Sequence, residues 1–300
     1  MEMRISGKKE NIFRRIGTAI LQIPREHRGF GKQIFMLAKD ELIKTYKGAI
    51  IGPFWAVMKP LFQLFVYWFA FTIGMNGGPR GPVYDKIPFF VFAMAGFLPW
   101  CFMSDCVSRG SRCIRENRQF VNKISFPVSA ITTYTTISKF YIHILLFVIA
   151  MIYLLCTPLM AGEDGYCFIP SLDNLQIIGY ALAMFLFFWA LTWSLAPMSA
   201  FSKDFESFIA TIMSGLFWIS GVCFDSYHIK NDIIKKILLF NPMTYFCNGY
   251  RKALIYDQWF FQGYYRPDLE NLLFACEFLL VIVLGIYNYN RLRKRLPDVL

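Results

Sequence analysis

Residues 140–156 read FYIHILLFVIAMIYLLC. The run contains no Asp, Glu, Lys or Arg, and His143 is its one strongly polar side chain. As a helix rising 1.5 Å per residue, it would extend about 25 Å, close to the ~30 Å hydrocarbon layer of a bilayer. Apolar sequence of this length specifies a membrane-crossing helix. Five further segments have the same character, at 54–75, 87–106, 175–198, 207–224 and 271–290, and the run itself lies within a longer third span at 128–158.

Composition agrees. Of 300 residues, 56% are hydrophobic, 18% aromatic and only 17% charged. So few charges cannot coat a soluble exterior around that much ring surface. Disorder is excluded by hydrophobicity, and the net charge of +11 does not mark a nucleic-acid binder, because no soluble surface carries it. The eight cysteines contain no C-x-x-C, and the three histidines lie far from any finger-type spacing, so no metal centre is expected. Cys156 and Cys167 are the pair that a disulfide on the outer side would join.

Lys and Arg set the orientation. With the N-terminus inside, 21 of the 31 basic residues fall on inner segments and 8 on outer ones, and the outer loop 157–174 carries acids but no base. Both termini are therefore expected in the cytoplasm. Residues 1–33 carry charges throughout and lack the apolar core of a signal peptide. Three regions are expected: a cytoplasmic N-terminal segment over 1–53, a six-helix membrane domain over 54–290, and a basic tail over 291–300.

Two stretches depart from simple spans. Residues 12–23 and 34–50 are amphipathic. In the second, Phe35, Leu42, Tyr46 and Ala49 share one face, with Lys39, Asp40, Lys44 and Lys47 largely opposite, as in a helix that lies at the cytoplasmic membrane surface or equally docks a protein partner. Residues 225–268 are too apolar for a free loop. Ile229–Phe240 reads as a short helix, Asn241-Pro242 breaks it, and Thr244–Ile255 begins another. Both are too short and too charged to span, so they are expected as a re-entrant pair packed against protein or a water-filled cavity.

Chemistry is mostly missing. The P-loop pattern G-x-x-x-x-G-K-[ST] is absent, since Gly7-Lys8 and Gly31-Lys32 lack both its first Gly and its Ser/Thr. Asp105 and Glu277 are the acidic residues within spans, which gives little support to ion coupling. No D-x-D is present to hold a metal-bound sugar nucleotide, and His228 with Asp232 has nothing nearby to complete a catalytic site.

Five motifs occur in order: Lys39-Asp40-Glu41-Leu42-Ile43-Lys44-Thr45-Tyr46-Lys47 followed by Gly52-Pro53-Phe54-Trp55 and Pro60-Leu61; Ala95-Gly96-Phe97-Leu98-Pro99-Trp100; Asn122-Lys123-Ile124-Ser125-Phe126-Pro127; Ser202-Lys203-Asp204-Phe205; and Asn241-Pro242-Met243-Thr244-Tyr245 with Gly249-Tyr250-Arg251. Together they resemble ABC-2-type exporter permeases of the Wzm/TagG-like group, which export polysaccharide or teichoic acid. Lys203 stands where the group often has Arg.

The resemblance implies an all-α, multi-pass protein of the bacterial cytoplasmic membrane. Two copies would surround one channel, with two separate P-loop ATPase subunits below supplying ATP and Mg²⁺ chemistry. No cofactor is expected in this chain. The cargo would be a lipid-linked glycan or teichoic acid, and membrane lipids would be further partners. Lys39, Lys44 and Tyr46, with Glu116, Asn122, Lys123 and Phe126 in the following loop, are the implied ATPase contacts. Asn241, Pro242, Tyr245, Tyr250 and Arg251 would belong to the outer gate.

Residue chemistry adds candidates. Arg109, Arg112, Arg115 and Arg118 recur every three residues and would meet a lipid-linked phosphate or an anionic lipid. Tyr67, Trp68 and Phe71 offer rings on which a sugar polymer can slide. Lys139 and His143, at i and i+4, share a face of the third span as channel candidates. Positive-inside topology, ring packing and interfacial anchoring compete with these readings. The same fold with drug, peptide or lipid cargo, and a membrane acyl- or glycosyltransferase, are the alternative functions.

Overall fold

The computed structural model describes residues 22–74, 87–122, 126–160, 166–226, 229–263 and 266–299. Among these there is no strand. A short helix α1 over 22–27 turns through Gly29 (φ +92°) into α2 (Gly31–Thr45). The long helices are α3 (Trp55–Trp68), which runs on into a π-helical turn at Phe69–Gly74, α4 (Phe89–Glu116), α6 (Val128–Met160), α7 (Gln176–Phe201) and α11 (Pro267–Leu292). The shorter ones are α5 (Arg118–Asn122), α8 (Lys203–Ile219), α9 (Asp232–Leu239) and α10 (Pro242–Leu254).

Among the described residues, five helical segments are long and apolar enough to cross a membrane. The segment expected as the fifth of six spans forms α8, whose 17 residues reach about 25 Å. The chain turns back after it at Gly221, where φ is +72°.

Helix α4 is the axis of the bundle. In its most apolar window 78% of the residues are buried, against 17–39% in the other four spans. Helices α3, α6, α7, α8 and α10 pack around it. Small residues set the closest approaches. A Cβ on Gly285 of α11 would lie 2.4 Å from the Ala190 carbonyl oxygen of α7, and one on Gly110 of α4 would lie 2.4 Å from Thr192 of α7. Side-chain-free surfaces let apolar helices gain contact without a hydrophobic drive between them.

At one end of the bundle α2 packs on the start of α6. The residues that bury are Ile34 and Ala38, seated against Ala130, Ile131 and Tyr134. The face expected from the sequence is therefore rotated: Phe35 is exposed, and Ala49 lies beyond the helix in a turn that follows Gly48. Ala38 decides this, because its small side chain allows α2 to approach α6 closely. Leu42 and Tyr46 do pack against the main core.

At the other end lies α10. Its sequence, PMTYFCNGYRKAL, is polar enough for a surface helix, yet every residue from Phe246 to Leu254 is buried. Asn241 caps it, its Oδ1 accepting from Met243 N at 3.0 Å and its Nδ2 donating to Ser220 Oγ at 2.9 Å. Lys252 and Glu270, both buried, form an ion pair at 3.0 Å. The break at Asn241-Pro242 lies where the sequence places it. Its predecessor α9 is different: Ile233, Ile234 and Ile237 are exposed and Leu238 is its buried residue, so α10 alone inserts into protein. The eight cysteines are free thiols, Cys156 and Cys167 included.

Candidate functional site

Four elements line a polar cavity of about 310 Å³ that is partly open, with Lys59 and Gln63 exposed. Helical spacing builds it. Lys59 and Gln63 come from one face of α3, Cys101, Asp105 and Arg109 from one face of α4, and Lys139 and His143 from one face of α6. Tyr46, at the end of α2, joins them.

Three cations face one carboxylate here. Lys139 is buried and lies 3.7 Å from Asp105, which is half exposed. Lys59 stands over the Tyr46 ring, 5.8 Å from its centroid. Neither Lys59 nor Arg109 forms an ion pair with a described residue. Burial raises the Tyr46 phenol above its ordinary value, with Asp105 reinforcing and Arg109 opposing, so Tyr46 is a neutral hydroxyl at physiological pH. The cavity thus presents an excess of positive charge, a setting that favours an anion bearing several acceptor oxygens.

The arginine series does not act as one stripe. Arg109 reaches the cavity. Arg112 makes a half-exposed i,i+4 pair with Glu116 at 4.0 Å. Arg115 is paired with Glu206, which ties α4 to α8. Arg118 belongs to α5, because the helix ends at Asn117. Three-residue spacing brought the four together only on an unbroken helix.

The aromatic candidates lie beside the cavity. Tyr67 stacks on Phe217 at 4.9 Å and meets the edge of Phe97 at 5.8 Å. Trp68 is half-buried, 5.7 Å from Phe65, and Phe71 is 5.2 Å from Phe89. Gln63 joins the two groups: it lines the cavity and its Nε2 donates to the Tyr67 hydroxyl. In the sequence Gln63 stands out as the one polar residue of 61–71, which is the signal that finds it.

His143 faces the cavity and its Nε2 is 2.8 Å from the Tyr250 hydroxyl. Tyr245 stacks on Phe274 at 4.1 Å, its planes 6° apart, and donates to Asn271 at 3.0 Å. Arg251 is fully buried. Its Nη1 and Nη2 donate to the carbonyls of Gly221 and Val222 at 2.6 Å, and its guanidinium lies 3.8 Å from the Phe92 ring centroid. It satisfies carbonyls just after α8, where no water-rich surface is at hand.

Of the residues expected to meet an ATPase, Lys39 and Lys44 are exposed on α2, and Phe126 packs edge-on against Phe30 at 5.5 Å. Asn122 ends α5. Lys123 and His228 lie outside the described residues.

Comparison with known proteins places this geometry. The chain is 23% identical over 255 residues to the O-antigen export system permease protein RfbA of Myxococcus xanthus, covering 85% of this chain and 89% of that protein. Residues 32–255, from α2 through the end of α10, match the ABC-2 type transporter family. The cavity and the buried α10 both lie within that match, and the chain belongs to the ABC-2 type transporter family as a membrane permease rather than an enzyme.

Proposed function

We propose that this chain is the permease subunit of an ATP-driven exporter that moves a lipid-linked cell-surface polysaccharide or teichoic acid across the cytoplasmic membrane of a bacterium. It works as a homodimer with two copies of a P-loop ATPase, which carry the ATP and Mg²⁺. Residues 1–53 hold the cytoplasmic interface helix, 54–290 six spans with α8 as the fifth, and 291–300 the tail, with both termini cytoplasmic. The reading is supported above all by near full-length similarity to a permease named for O-antigen export.

The cavity supplies the chemistry this cargo needs. Lys59, Arg109 and Lys139 take the phosphate of the lipid carrier, while Tyr67, Trp68 and Phe71 form part of the wall past which sugar rings move. Tyr245, Tyr250 and Arg251 hold the outer gate in register. ATP binding in the partner changes which state of the permease is favoured, and the chain biases transport by differential contacts alone.

The test is affinity purification of the tagged chain in nanodiscs, with mass spectrometry of what accompanies it. A stoichiometric P-loop protein and a lipid-linked glycan support the reading. A folded dimer that repeatedly arrives without an ATPase, even with ATP analogues present, overturns it.

A further inference from the structure

On the side of the bundle away from the cavity, α1 separates two concave surfaces. One of its faces, with Ile23, Pro24 and His27, borders an apolar groove of about 900 Å³. Phe35, Leu182, Phe185, Trp189 and Ile286 are among its other lining residues. Of its polar side chains, His27, Thr133 and Trp189 are bonded among themselves, while the buried Trp193 indole N–H has no partner among the described residues. His27 bonds the Ile23 carbonyl and the Thr133 hydroxyl, both at 2.7 Å, and Trp189 Nε1 donates to the same hydroxyl at 2.9 Å. The lining is otherwise mostly apolar, so it suits an apolar occupant, with the Trp193 indole N–H as a free donor.

The other face of α1 borders a cleft of about 630 Å³ that contains Arg25, Glu26, Arg28, Arg293 and Lys294. Glu26 is consumed within the protein: it pairs with Arg293 and accepts from Ser129 at 2.6 Å and from Tyr289 at 3.2 Å. Arg25, Arg28 and Lys294 are exposed and form no ion pair with a described residue. Tyr289 and Ile286, one helical turn apart on α11, border the cleft and the groove respectively. An apolar slot and a three-cation cleft therefore adjoin along one short helix.

We infer that α1, α6, α7 and α11 form a binding site for one anionic phospholipid, with an acyl chain in the groove and its phosphate met by Arg25, Arg28 and Lys294. The pairing of charge with apolar surface selects this occupant. A zwitterionic lipid offers the same chains but neutralises its own phosphate, and a soluble phosphate offers no chain. The site is separate from the cationic cavity and does not depend on what is exported.

The experiment uses the full chain, purified in mild detergent and stripped of lipid, titrated with dioleoyl phosphatidylglycerol or dioleoyl phosphatidylcholine and followed by native mass spectrometry. One phosphatidylglycerol per chain should bind in preference to phosphatidylcholine. The triple variant R25Q/R28Q/K294Q should weaken phosphatidylglycerol at least about tenfold, since each surface cation contributes about 1 kcal/mol toward an anionic headgroup. Leu182→Trp, which fills the groove, should weaken both lipids. Lys236→Gln, at the opposite end of the bundle, should change neither. Equal binding of the two lipids, an unchanged preference in the triple variant, displacement by millimolar inorganic phosphate alone, or co-purification of a polyprenyl phosphate in place of phospholipid would each overturn the assignment.

Discussion

The His143 Nε2 and Tyr250 hydroxyl, 107 residues apart in sequence, are joined by a 2.8 Å hydrogen bond between α6 and α10. One end of that bond borders the cationic cavity and the other belongs to a helix at the far end of the bundle. Tyr250→Phe removes the hydroxyl and leaves both imidazole nitrogens without a partner, because Nδ1 already has none. Interhelical hydrogen bonds in membrane proteins contribute about 0.6–1.7 kcal/mol. The expected outcome is a slightly lower melting temperature in detergent with normal membrane insertion. A Tyr250→Phe protein as stable as wild type would mean that the contact carries no energy.

Arg251 should tolerate far less. Arg251→Met leaves the Gly221 and Val222 carbonyls buried without donors, at about 1–3 kcal/mol for each unsatisfied group. Arg251→Lys keeps the charge but not the planar fork, so it should recover only part of the loss. Fluorescence-detected size exclusion of membrane extracts reads this directly, with the expected order wild type, Lys, Met in recovered monodisperse protein.

Two glycines separate close packing from open surface. Gly285→Ala drives a Cβ against the Ala190 carbonyl oxygen, a backbone atom that cannot swing aside, and should cost about 1–3 kcal/mol. Gly215→Ala meets nothing within 4 Å and should be neutral or stabilising by up to about 1 kcal/mol, through helix propensity. Thermal unfolding of the two purified variants makes the comparison, and equal melting temperatures would contradict the α7–α11 packing.

Charge in the cavity is expected to matter for transport more than for folding. Under the proposed function, in which Arg109 meets the carrier phosphate, Arg109→Gln, half-buried and unpaired with any described residue, should leave protein abundance unchanged and lower export of the proposed glycan at least about tenfold, the effect of losing one charge-assisted contact. Arg112→Gln removes only a half-exposed surface pair and should change stability by less than about 1 kcal/mol. Export that falls equally in both variants would return the effect to general membrane charge.

Much of the fold was legible because apolar length is a local property. The run 140–156 lies wholly within α6, and the break at Asn241-Pro242 became the boundary between α9 and α10. What could not be read was which surfaces meet. α2 turned its face toward Ala38 because α6 was there to receive it, and no periodicity within 34–50 encodes a neighbour. Arg109 and Arg115 are equivalent in a three-residue count, yet Asp105, Lys139 and Lys59 surround one while Glu206 takes the other. The site was legible as a set of side chains but not as a cavity.

The polar composition of α10 bears on how the chain assembles. A segment carrying Asn248, Arg251 and Lys252 has no affinity for lipid and would not be retained by the machinery that partitions emerging helices into the bilayer. Its walls, α4 and α7, precede it in the chain, so they are already inserted when α10 emerges, while Glu270, the counter-charge of Lys252, follows it. Synthesis order thus supplies a receptacle before the insert and its ionic latch afterwards. Biogenesis then includes a docking event between a solvated segment and helices already in place, and ends when α11 arrives and the buried ion pair closes.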